Sequence, residues 1–123
     1  MKRLIKQEAG TQTVTIEASG IINSQVAKEM VEAAGIELNC SGFQKCLFDL
    51  TNTNLDPKQK MVEMFMFAKV FTKANINKSV KIAAIIDVKD GFRLCLERAA
   101  NSEGYSLKHF KNRNNALSWL RIN

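Results

Sequence analysis

Asp49 and Asp87 are the residues whose type and position come nearest to chemistry in this chain. Each stands at or near the end of a short apolar run, Cys46-Leu47-Phe48-Asp49-Leu50 in one case and Val80 to Asp87 in the other. Such runs read as central strands buried on both faces. Ligands of open α/β sheets bind beyond the carboxyl ends of the strands, and paired carboxylates there could hold a magnesium ion. A phosphoryl-transfer site of that kind also wants an acidic pair after the first strand, and the chain has none. Acids that face solvent or cap turns are the simpler reading of both residues, and whether they approach one another stays open. His109 is the one histidine, so no two-histidine zinc site exists, and no Ser or Cys nucleophile is placed beside it by spacing. The three cysteines, Cys40, Cys46 and Cys95, are odd in number and form no CxxC; they read as buried, inert thiols in a reducing compartment. No GxGxxG or Walker loop offers a phosphate cradle. The residues therefore give no catalytic set, no metal site and no cofactor, and the expectation is a protein that is not an enzyme.

The elements that would position these residues are easier to read. At 123 residues the chain suits one domain, 1–123, able to fold without disulfide or metal. Arg3 to Glu8 and Thr13 to Ala18 read as two strands joined by the turn Ala9-Gly10-Thr11-Gln12; the second alternates polar and apolar residues, the signature of a half-buried strand in an antiparallel hairpin. Gly20 to Asn23 breaks that pattern. Asn23 or Ser24 caps a helix bearing Val26, Ala27, Met30, Val31 and Ala34, with Gly35 as its stop and residues 36–44 as a connection from which Leu38 or Phe43 packs inward. Lys45 to Leu50 is a strand and Thr51 to Pro57 a turn. Asp56-Pro57 opens the next helix, since proline suits the first helical position, and that helix runs to about Lys73. Val80 to Asp87 is a strand, Asp90 caps a helix ending at Gly104, Tyr105 to Phe110 is the last strand, and Asn112 caps a final helix with Ala116, Leu117, Trp119 and Leu120. The order β-β-α-β-α-β-α-β-α predicts an α/β fold: an antiparallel hairpin, then parallel right-handed crossovers, giving a mixed sheet of about five strands flanked by about four helices.

The formal net charge of +6 would suit an anionic partner, but the 18 Lys and Arg are spread along the chain without a dense block. No aromatic–basic alternation of the kind single-strand binders use is visible on a strand, so no nucleic-acid partner is expected. No apolar run is long enough for a signal peptide or a membrane span, which points to a cytoplasmic protein. The helix from Pro57 to Lys73 is the anomaly. At about 100° per residue, Met61, Met64, Ala68 and Phe71 make the stripe that docks it on the sheet. Phe65 and Val62 fall to one side, Phe67 to the other, and Met66 and Val70 toward the back. A helix apolar nearly all round is either deeply buried or meets a partner. Three readings stay open for the surplus: neighbouring elements cover it, a second copy of the chain does, or an apolar ligand or membrane surface does. Methionine, flexible and polarisable, suits the last two.

Taken together, Gly20-Ile21-Ile22, the run Cys46-Leu47-Phe48-Asp49-Leu50-Thr51, the stretch from Leu96 to Gly104 leading to Phe110, and the closing Ala116-Leu117-Ser118-Trp119-Leu120 make the chain resemble the STAS domain, and within it the small stand-alone SpoIIAA-like branch. The resemblance covers nearly the whole chain. It implies a non-enzymatic bacterial switch or interaction module. In the anti-anti-sigma factors of this fold a Ser or Thr just after an Asp, at the start of the helix after the central strand, is phosphorylated by an anti-sigma kinase; a helix N-terminus welcomes phosphate. Here the matching spot is Leu55-Asp56-Pro57-Lys58, with proline at the acceptor's place and Thr51 and Thr53 nearby on the preceding turn. The expectation is therefore a protein-binding module, homodimeric or with another protein partner, that has lost the phosphoswitch. Its candidate face is Val62, Phe65, Met66, Phe67 and Val70, and its switch-like turn is Thr51, Thr53 and Asp56. The alternative is a small carrier or sensor of a lipid or other apolar ligand on the Met/Phe-rich helix.

Overall fold

Alternation places Val14, Ile16 and Ala18 on one side of a strand, and all three are buried. In the computed structural model, which describes residues 2–55, 68–86, 97–98 and 100–121, this strand belongs to a five-stranded sheet of order β1-β2-β3-β4-β5. The strands are β1 (Lys2–Glu8), β2 (Thr13–Ile22), β3 (Lys45–Leu55), β4 (Lys81–Ile85) and β5 (Ser106–Phe110). β1 pairs antiparallel with β2, and every later neighbour pairs parallel. The expected mixed sheet is thus the observed one. Among the described residues four helical segments flank it: α1 (Ser24–Ser41), α2 (Ala68–Lys73), a short stretch at residues 97–98 and 100–102, and α3 (Arg113–Arg121).

Local chemistry sets most boundaries. Asn23 caps α1, its side chain accepting from the Val26 N–H at 2.9 Å. Asn112 caps α3 in the same way through the Asn115 N–H. Each cap occupies one of the donors a first helical turn leaves unpaired. Gly104, at φ 90°, ends the helical stretch before β5, and the Tyr105 N–H returns to the Ala100 carbonyl. β3 is buried on both faces: Cys46 and Phe48 face a large core with α1 and α2, and Leu47 faces a small one with Ala83, Ile85, Ala116 and Leu120 under α3. The continuous apolar run of β3 reflects this two-sided burial.

Two readings of the sequence need correction. Residues 51–55 are not a turn: β3 continues to Leu55 beside β2, which itself continues to Ile22 through Gly20 at φ 109°. Pairing a polar tail with a neighbouring strand satisfies its backbone groups, and that outweighs its weak intrinsic strand preference. The register shifts between Glu17 and Ser19, where β3 carries one residue more than β2; such bulges bend a strand near its end.

Gly35 is not a stop either, since α1 runs on to Ser41 and closes at Gly42, φ 74°, whose N–H bonds the Leu38 carbonyl. Leu38 is buried and Phe43 packs partly against the same core, so both inward positions are filled. The role of Gly35 is close approach: a Cβ there would lie 2.5 Å from the Ala74 carbonyl oxygen and 3.1 Å from the Ala74 Cβ. α1 and the end of α2 touch at this point. Alanine would gain about 1 kcal/mol of helix propensity, but overpacking against backbone costs about 1–3 kcal/mol. Gly35→Ala is expected to lower stability by about 1–2 kcal/mol, with the clash outweighing propensity. Urea denaturation reads this, and a stabilised variant would show that the two helices separate freely.

Candidate functional site

The continuation of β3 carries Thr51 and Thr53, two of the three residues read as switch-like, to the carboxyl end of the parallel strands. Thr51 is exposed and donates to the Asp49 carboxylate twice, from its N–H at 3.1 Å and from its hydroxyl to the same Oδ1 atom. Thr53 is half-buried and its hydroxyl donates to the Leu50 carbonyl at 2.7 Å. Both hydroxyls are thus engaged in folding the bulge back on itself, a use for which short polar side chains compete well. Asp56 lies outside the described residues, as do Val62, Phe65, Met66 and Phe67 of the candidate face, and Asp87, Asp90 and Cys95. Val70 is half-buried and packs against the large core. Its neighbour Phe71 is fully buried, with its ring 5.4 Å from that of Tyr105, whose hydroxyl bonds the Ile76 carbonyl.

Asp49 is held from its other side by a residue that sequence reasoning passed over. The Arg113 guanidinium donates to Asp49 Oδ2 at 3.0 Å and to Glu17 Oε1 at 3.2 Å, and reaches Glu8 at 3.9 Å. Lys6 stands 3.8 Å from Glu17. Glu17 and Asp49 are register partners on adjacent parallel strands, which sets two like charges side by side; the guanidinium fork offsets them. The network binds β1, β2 and β3 to the first residue of α3. One signal for it was present in the sequence. Arg113 opens a helix whose first turn has no acid, and a cation at that end opposes the helix dipole, so something anionic must compensate.

On the same strand as Glu17, Thr15 is fully buried, and among the described residues its hydroxyl has no hydrogen-bond partner. His109, half-buried on β5, faces the Glu97 carboxylate on the short helical stretch, an ion pair when the ring is protonated. Cys46 is fully buried, and burial pushes its thiol pKa far up, so it is no nucleophile; Cys40, expected to be buried, is instead exposed in the last turn of α1. Among the described residues no three His, Cys, Asp or Glu gather as metal ligands, and no helix is long and apolar enough to cross a membrane. What the arrangement can do is hold a rigid, hydrogen-bonded polar surface at the carboxyl end of β2 and β3.

No protein-family model matches the chain, and no curated protein does. Solved structures do. The unphosphorylated form of SpoIIAA, an anti-sigma factor antagonist, aligns over 99% of this chain and 100% of its own at a TM-score of 0.53 and 9% identity. The phosphorylated form of Bacillus SpoIIAA, a cell fate determinant, aligns over 98% and 100% at 0.50 and 9%. The protein TM1081, solved by NMR, aligns over 97% and 88% at 0.51 and 13%. The chain therefore has the STAS-like fold of SpoIIAA, as the resemblance implied.

Replacing Arg113 by Ala leaves Glu17 with Lys6 and Asp49 with the Thr51 donors, and removes the cation that joins them and Glu8. A loss of about 1–2 kcal/mol is expected, because hydrogen bonds to charged groups are worth about 1.5–3 kcal/mol and part of this one is screened by solvent. The loss should shrink in about 1 M salt. Denaturation at low and high salt checks both, and an unchanged midpoint would reduce the network to a surface coincidence. Thr15→Val, which removes the unpaired hydroxyl while keeping shape, should raise stability by about 1 kcal/mol in the same assay.

Proposed function

We propose that residues 1–123 form one STAS-like domain, acting in the bacterial cytoplasm as a non-enzymatic regulatory or protein-interaction module. Its working surface is the carboxyl end of the sheet and the helix that follows β3. The observation that carries this is the alignment, over nearly the whole chain, with SpoIIAA, an anti-sigma factor antagonist solved in phosphorylated and unphosphorylated forms.

The surface works without phosphate. Pro57 holds the acceptor's place. The hydroxyls of Thr51 and Thr53 already serve Asp49 and Leu50. A phosphate on Thr51 would stand beside the Asp49 carboxylate, with Glu17 in the next strand, and like charges repel. Recognition then falls to the apolar face of Val62, Phe65, Met66, Phe67 and Val70, which takes a second copy of the chain or another protein.

Native mass spectrometry of the wild type and of a Met66→Lys, Phe67→Lys variant tests the surface. A complex lost in the variant while its circular dichroism stays native is the expected result. A copurified apolar molecule released by the same variant would favour the carrier reading instead. A monomer free of ligand at tens of micromolar would remove self-association. Incubation with an anti-sigma-type kinase and ATP tests the switch: no phosphate on Thr51 or Thr53 is expected, and phosphate on either would overturn its loss.

A further inference from the structure

The opposite end of the sheet carries a cluster that the proposed interaction surface does not use. At the amino ends of the parallel strands one register row runs Glu8, Thr13, Lys45, Lys81 and Ser106 across all five strands. Lys45 and Lys81 are direct neighbours in that row. Arg121, the last residue of α3, lines the same open cleft as Lys45, and the β1–β2 turn (Ala9, Gly10, Thr11 and Gln12) forms its other wall.

Like charges on adjacent strands repel, so each cation in the row needs compensation. Lys81 has it from the protein. Its Nζ donates to the Trp119 carbonyl at 2.7 Å and stands 4.5 Å from the indole centroid, at the negative end of the α3 dipole. Burial first, and Lys45 beside it second, lower its pKa below the usual lysine value. Lys45 and Arg121 are placed differently. Among the described residues no acidic side chain comes within ion-pair distance of either cation. Glu8, the one carboxylate of the row, directly precedes the turn that walls the cleft, but its side chain reaches toward Arg113.

We propose that the cleft framed by Lys45, Arg121 and the β1–β2 turn binds a phosphate-type oxyanion, free or borne on a lipid headgroup. A guanidinium-bearing and an ammonium-bearing residue lining one opening match a compact doubly charged oxyanion, which the fork can hold bidentately while the ammonium acts as a point charge. The site lies at the end of the sheet away from Thr51 and Thr53 and stands independently of the function proposed there.

Trp119 is the only tryptophan; it stands two residues before Arg121 on α3 and its ring lies under Lys81, the register neighbour of Lys45, so its fluorescence serves as the probe. Titration with inorganic phosphate at constant ionic strength, read by Trp119 fluorescence and by calorimetry, should give saturable binding. Lys45→Gln and Arg121→Gln should each weaken it about tenfold, the loss of one charge-assisted contact, and the double variant should abolish it with its thermal midpoint unchanged. In a second arm, vesicles of phosphatidylcholine with phosphatidylglycerol are sedimented with the protein. Cosedimentation lost in the double variant, without a response to free phosphate, places the anion on a headgroup. Response to free phosphate without cosedimentation places it in solution. Absence of both, or binding that survives the double variant, overturns the proposal.

Discussion

The fold depends on β3 being satisfied in every direction. Parallel partners bond it along both edges, and separate cores cover its two faces. A strand in that position has no edge to expose and no face to leave wet, so its side chains must be apolar where it is central. They are apolar from Cys46 to Phe48, with Lys45 and Asp49 at the two ends of the stretch paired with β4, which ends at Ile85 opposite Asp49. Among the described residues, β3 beyond that point pairs with β2 alone. There the chain tolerates Thr51, Asn52, Thr53 and Asn54, and there the polar surface begins.

What was legible in the sequence was what short-range physics decides. The hairpin turn, the Asn23 and Asn112 caps, the left-handed Gly104 and the apolar run of β3 each rest on a few adjacent residues. So does the order of strands and helices, from which the mixed sheet follows. Gly35 misled because a glycine that ends a helix and one that admits a neighbouring helix look identical until Ala74 is in place. Residues 51–55 misled because a polar, asparagine-rich tail becomes strand only when β2 runs beside it.

The charged clusters were hidden for a related reason. Arg113 lies 64 residues from Asp49 and 96 from Glu17, and Lys45 meets Lys81 only through strand register. Along the chain the basic residues look evenly scattered. Across the sheet, one row gathers two of them and α3 adds a third. Charge patterning in a parallel sheet is written in the register rather than in the sequence, and register is fixed by the buried faces of strands far apart in the chain.

α3 carries an arginine at each end. Arg113, its first residue, ties down the carboxylates of β1, β2 and β3, and Arg121, its last, walls the basic cleft. A helix of this length, nine residues, spans about 13 Å, and the small core beneath is what keeps it seated. The helix is therefore a strut between two ends of the sheet. Both arginines take their positions from this one docked segment. A short amphipathic segment thus supplies a cation to each of two chemically unlike surfaces, the carboxylate network at one end of the sheet and the open cleft at the other.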